Sequence, residues 1–166
     1  MFRSFAIRDL SIFVGTIALW WASLVVDARS SLASTLSIAA GVGAAICAFN
    51  LHEWGHLLGA HLTDSVYVPA KRLISPFLFA YDAERNSRRQ FLLMSLAGFA
   101  ATAAFVAGFL LWMPQDQAAG RIALRAGLTL AALTVIIELP LFFRTLFGGA
   151  VPRTGLFKGP TVGGRD

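Results

Sequence analysis

Apolar residues dominate four stretches of the chain, and each stretch is long enough to cross a bilayer. A helix needs about 20 predominantly apolar residues to span ~30 Å of hydrocarbon. The four stretches cover residues 10–26, 33–60, 91–112 and 122–147. The pattern therefore predicts an all-α integral membrane protein with about four transmembrane helices, which form a single domain over residues 1–147.

Three connections join the predicted helices. Residues 27–32 are short, which predicts that the first two helices are antiparallel neighbours. Residues 113–121 contain Pro114 and Gly120 and are typical of a tight external loop. Residues 61–90 form a much longer, partly apolar loop, and loops of this length are often functional. After the last helix, residues 148–166 are rich in glycine, proline and basic side chains, which predicts a flexible tail.

The long loop is not helical by its composition. Pro69 and Pro76 exclude a continuous helix, because proline lacks the backbone donor that a helix requires. Val66, Tyr67 and Val68 are β-branched or aromatic residues that favour extended chain. We therefore expect an extended segment at residues 66–68, which a peptide could join as an added strand.

Composition and charge support membrane insertion. Only 14% of the residues are charged, whereas an ordinary soluble domain has about 25%. Three basic residues fall on one side of the predicted spans, namely Arg29, Arg121 and Arg125. The other side carries eleven: Arg3, Arg8, Lys71, Arg72, Arg85, Arg88, Arg89, Arg144, Arg153, Lys158 and Arg165. The positive-inside rule then predicts that both termini, the long loop and the tail are cytoplasmic.

The net charge of +5 follows from this topology. We expect membrane lipids as partners, since anionic headgroups attract such basic segments, and no nucleic acid, since the chain has no aromatic and basic platform for it. The first apolar run is longer than the core of a signal peptide, which indicates a retained anchor. Localisation in the bacterial inner membrane is the expectation. The single cysteine, Cys47, gives no disulfide framework.

The end of the second apolar run carries an unusual polar cluster. His52, Glu53 and His56 form a His-Glu-x-x-His pattern. On a helix the two histidines lie one turn apart on the same face, where they can bind one Zn²⁺ while the glutamate accepts a proton from water. Ionisable groups within a membrane are costly and usually functional. The alternative is that the histidines bond to lipid headgroups or neighbouring helices.

The third histidine does not extend this pattern. The longer zinc motif His-Glu-x-x-His-x-x-Gly-x-x-His would place its last histidine at position 62, where this chain has Leu62. His61 is therefore expected at the membrane interface. Membrane di-iron enzymes need several histidine boxes, which three histidines cannot supply.

Three segments together resemble the site-2 protease family of intramembrane zinc metalloproteases, over roughly residues 35–150. They are HEWGHLLGAHL, RRQFLLMSLAGFAATAA and IIELPLFFRTLFGG. The family has a metal-binding helix, then a helix with Ala-Gly-Pro-x-x-Asn, then one with Asn-x-x-Pro and Leu-Asp-Gly. The resemblance implies a zinc site within the membrane near the cytosol, Glu53 as the catalytic base, and a transmembrane peptide as the substrate.

The chain departs from the family at two places. Phe99 stands where the family has proline, and no asparagine follows it. Phe147 stands where the family has the aspartate that supplies the third metal ligand. These departures leave a second interpretation open, in which the chain is a non-catalytic structural or accessory subunit of a larger membrane complex.

Glu138 is the predicted substitute for the missing ligand. With helix ends near residues 60 and 147, and a rise of 1.5 Å per residue, His52 lies ~12 Å and Glu138 ~13 Å inside the membrane. Pro140 follows and can bend the helix towards the site. A protonated Glu138 bonded to a neighbouring helix is the alternative. Asp82 and Glu84, in the long loop, are weaker substitutes.

Overall fold

Four helices make up most of the computed structural model, which describes residues 2–27 and 29–152. They are α1 (Phe2–Val25), α2 (Ser31–Leu62), α3 (Arg88–Trp112) and α4 (Ala118–Leu146). Each helix is long and apolar enough to cross a membrane. The prediction of four membrane-spanning helices is confirmed at this level. Of the predicted tail, residues 153–166 lie outside the described residues.

The outer surfaces of the helices are covered with large apolar side chains. Leu10 is 62% exposed, Trp21 68%, Leu111 71% and Ile136 68%. In water such a surface would be costly, whereas in a bilayer it faces lipid tails of the same polarity. The architecture is therefore that of a helical integral membrane protein.

Local signals in the sequence account for where the helices begin. Ser30 caps α2 by accepting a hydrogen bond from the backbone of Ala33. Ser87 and Gln90 form a capping box at the start of α3, where each side chain bonds to the backbone of the other residue. α1 begins at Phe2, ahead of the apolar run 10–26, because charged residues such as Arg8 interrupt an apolar pattern without breaking a helix.

α2 lies at the centre of the bundle and packs against each of the other three helices. Its glycines permit close contact: a Cβ at Gly55 would lie 2.8 Å from that of Ala101, and a Cβ at Gly59 would lie 2.8 Å from that of Ala97. Small residues at such positions let membrane helices approach closely. The helix that carries the His-Glu-x-x-His pattern is therefore held firmly against α3.

The long loop contains a short antiparallel hairpin, which the all-α prediction did not include. β1 (Tyr67–Pro69) pairs with β2 (Phe79–Tyr81), with Val68 opposite Ala80. The expected extended segment at residues 66–68 thus overlaps β1. Burial raises the pKa of Tyr81 to about 12, so its phenol stays protonated beside the ring of Phe91.

Candidate metal centre

His52 and His56 face each other across one turn of α2. Their Nε2 atoms are 3.0 Å apart. The carboxylate of Glu138 on α4 meets both, with one oxygen 3.1 Å from His52 Nε2 and the other 3.2 Å from His56 Nε2. One ligand atom from each of the three residues lies within 4.8 Å of the others. The structure therefore brings together the residues that the depth estimate paired on the two helices.

Hydrogen bonds from α3 orient both imidazoles. The Nδ1 atom of His52 lies 3.1 Å from the carbonyl oxygen of Gly98 and 2.8 Å from the hydroxyl of Thr102. The Nδ1 atom of His56 lies 3.1 Å from the carbonyl oxygen of Met94. A carbonyl only accepts, so each Nδ1–H donates, and in a neutral imidazole the Nε2 atom that faces Glu138 then carries the lone pair.

The two Nε2 atoms and the Glu138 carboxylate form a cluster of electron-pair donors that is suited to a bound cation. Two Nε2 lone pairs and a carboxylate repel one another unless a cation or a shared proton lies among them. Zn²⁺ with bonds of about 2.0–2.1 Å in tetrahedral geometry separates its ligand atoms by about 3.3 Å. The separations here, 3.0–3.2 Å, are close to that value. Two imidazoles and one carboxylate also leave a fourth position open, as in catalytic zinc sites.

Glycine at position 98 makes room for the second imidazole. A Cβ at Gly98 would collide with the ring atoms of His56. The backbone of α3 can therefore approach the histidines closely enough for its carbonyl groups to accept hydrogen bonds from Nδ1.

Glu53 flanks the cluster from the neighbouring face of α2. Its side chain is buried, with 7% exposure, and it interacts electrostatically with His52, His56 and Glu138. The backbone amide of Leu78, in the long loop, faces the carboxylate. Glu53 thus lies close to His52, His56 and Glu138 but is not part of this group of candidate ligands.

The other candidate ligands lie elsewhere. Asp82 accepts hydrogen bonds from the backbone N–H groups of Glu84 and Arg85 in a local turn, and His61 is exposed in the last turn of α2. Phe147, at the position of the family's aspartate, is 81% exposed at the end of α4. The end of α4 therefore does not reach the cluster, whereas Glu138 does.

The predicted substrate-binding residues are only partly free to pair with a peptide. Both backbone polar groups of Val66 bond to the side chain of Asn86: the N–H donates to Oδ1, and the C=O accepts from Nδ2. Val68 lies opposite Ala80 between the ladder bonds at Val66 and Ala70, so its backbone groups point into the hairpin. By the same alternation, the backbone groups of Tyr67 point outwards. Among residues 66–68, only Tyr67 therefore has backbone N–H and C=O groups on the outer edge of β1, where a peptide could pair with them.

The fold and the cluster define a class, a helical membrane protein with a candidate metal centre inside its bundle. Comparisons of the chain with models of protein families, with curated proteins and with solved structures found no match.

Proposed function

We propose that this chain is an intramembrane zinc metalloprotease of the site-2 protease type, with the ion held by His52, His56 and Glu138. The convergence of these three ligand groups beside Glu53, inside a bundle of apolar helices, is the observation that carries the proposal. An uncompensated cluster of this kind would be costly in a membrane, and a bound ion offsets that cost.

Each residue has a distinct role in the proposed reaction. Bound zinc supplies a Lewis acid that makes water more acidic and polarises a carbonyl group. Glu53 accepts the proton of the attacking water and delivers it to the leaving amine. Thr102 and the two α3 carbonyls hold the imidazoles in the tautomer that leaves Nε2 available, as outer-shell groups do in zinc enzymes.

The substrate would be a transmembrane or juxtamembrane peptide in an extended conformation. A helical peptide hides its carbonyl groups in its own hydrogen bonds, so it must unwind to be cleaved. The hairpin supports this requirement, because an unwound peptide could pair with an outer edge at Tyr67 on β1, or at Phe79 and Tyr81 on β2.

One measurement tests the metal assignment directly. The purified protein, analysed for metal by mass spectrometry, is expected to contain one zinc per chain and to lose it to a strong chelator. Less than a tenth of that amount, after purification with zinc present, would contradict a catalytic zinc site.

We also propose that both termini and the long loop are cytoplasmic, in the inner membrane of a bacterium. The test is the labelling of single cysteines with a membrane-impermeant thiol reagent after Cys47 is replaced. Lys71→Cys should be labelled only from the cytoplasmic side and Gln115→Cys only from the other side. Both positions are exposed. Labelling of Gln115→Cys from the cytoplasmic side would show that the orientation is wrong.

A second candidate function is that of an accessory subunit. One observation favours it: an apolar groove of about 600 Å³ opens between α1 and α3, over α2. Its lining includes Ile17, Trp20, Leu51, Phe105 and Phe109, and a helix of a partner subunit could fill it. Such a subunit would not require stoichiometric zinc, so a protein without zinc in the same metal analysis would favour this second function.

A further inference from the structure

A polar network fastens α1 to α2 on the side away from the histidines. Asp9 is its centre: one carboxylate oxygen accepts from Arg8 Nε at 2.7 Å and from Asn50 Nδ2 at 3.0 Å, and the other accepts from Trp54 Nε1 at 2.8 Å. The Asp9 side chain is only 11% exposed, and buried charged groups are costly unless they are well paired. The network thus fixes where Arg8 stands.

Arg8 also holds the long loop. Its NH1 group donates to the carbonyl oxygen of Leu73 at 2.7 Å and to that of Ser75 at 2.6 Å. The Ser75 hydroxyl in turn bonds to the backbone of Phe77, which stiffens the following turn. We call residues 73–78 the strap, because this segment runs from Arg8 to the candidate metal centre.

The far end of the strap lies on the catalytic base of the proposed reaction. The backbone amide of Leu78 faces the Glu53 carboxylate. The Leu78 side chain is fully buried against Phe5 and against Leu57, which lies one turn of α2 beyond Glu53. The ring of Phe77 packs edge-on against Phe49, whose ring contacts His52. The strap therefore occupies the space in front of Glu53 with a backbone amide of the chain itself.

We propose that the strap is a built-in cover of Glu53, and that Arg8 is the latch that holds it closed. In the closed state the Leu78 amide lies beside the carboxylate, in the place that the amide of a substrate would need. The strap must withdraw before a peptide can reach Glu53. The inference rests on the proposed function for the role of Glu53, but the closure itself does not depend on bound metal.

Hydrogen exchange at the Leu78 amide measures the closure without metal or substrate. Arg8→Gln should speed this exchange about tenfold or more, because the strap loses a charged donor to two carbonyls. Arg3→Gln is the matched control: it removes the same charge from an exposed position of the same helix and should leave the rate unchanged. Amides of residues 55–60 in α2 serve as the reference for an intact fold.

Glu53→Ala provides a second test if Arg8→Gln does not fold, since it removes the carboxylate that the Leu78 amide faces and should also speed exchange at Leu78. Unchanged exchange in the folded variants would overturn the inference.

Cleavage of casein in detergent then tests inhibition: Arg8→Gln should cleave it faster than Arg3→Gln does. Faster exchange with an unchanged or lower cleavage rate would overturn the inhibitory role. A wild type and an Arg8→Gln variant that both fail to cleave would count against the proposed function, while the exchange result still decides the latch.

Discussion

Replacing Glu138 with alanine is expected to weaken zinc binding by at least about 100-fold, because the loss of an outer-shell partner alone typically costs 10–100-fold. The carboxylate meets both imidazoles at 3.1 and 3.2 Å, and without it two histidines leave the ion short of the three protein ligands that catalytic sites carry. Competition with a chromogenic chelator, on protein in detergent, measures the affinity.

Two controls make the Glu138 result specific. Glu84→Ala removes an exposed acid that lies outside the cluster, and its zinc affinity should equal that of the wild type. His56→Ala should lose zinc as fully as Glu138→Ala does. If Glu138→Ala retained full zinc occupancy, the assignment of Glu138 as the third ligand would be wrong. His61 and Asp82 would then be the next candidates, and the accessory-subunit function would be favoured.

Glu53→Gln is expected to lower proteolysis by about 10²–10⁴-fold, the usual contribution of a general base, while zinc stays bound. The amide has nearly the same shape and can still face the N–H of Leu78, but it cannot accept a proton from water. Because Glu53 stands outside the group of three ligand atoms, its loss should remove proton transfer and spare the metal. The assay follows cleavage of casein, beside metal analysis of the same preparation.

Glu84→Gln is the matched control for this variant and should cleave at the wild-type rate. Undiminished cleavage by Glu53→Gln would rule out the proposed mechanism. Loss of zinc together with activity would instead assign Glu53 to the metal, contrary to its position on the flanking face of α2. A wild type that holds zinc and cleaves no substrate would favour the accessory-subunit function.

The helices could be predicted from the sequence because a membrane span needs a long apolar run, and little else in a chain resembles one. The predicted span 33–60 lies inside α2, and the span 91–112 ends where α3 ends. α1 begins eight residues before the apolar run 10–26 does, because Arg8 and Asp9 interrupt the apolar pattern but not the helix. The hairpin was half predicted: residues 66–68 were expected to be extended, but the partner strand at 79–81 depends on contacts across the loop.

Part of the candidate metal centre could also be predicted from the sequence. Helical periodicity places His52 and His56 together, and depth arithmetic selects Glu138 from the other end of a different helix. Neither argument finds Thr102 or the contact between Leu78 and Glu53, because these partners are far apart in sequence and meet only through packing. The one local signal for Thr102 is its spacing of four residues from Gly98, which puts both on the same face of α3.

The orientation of the two imidazoles has a consequence for how the site tolerates mutation. Both Nδ1 atoms bond to main-chain carbonyls, at Gly98 and Met94, and every amino acid supplies such a carbonyl. The identity of residue 94 is therefore nearly irrelevant to the histidine it orients, whereas residue 98 is constrained by the volume of its side chain. Much of what aligns this centre is encoded in the spacing between two helices, and it would leave almost no trace in the side chains of a divergent descendant.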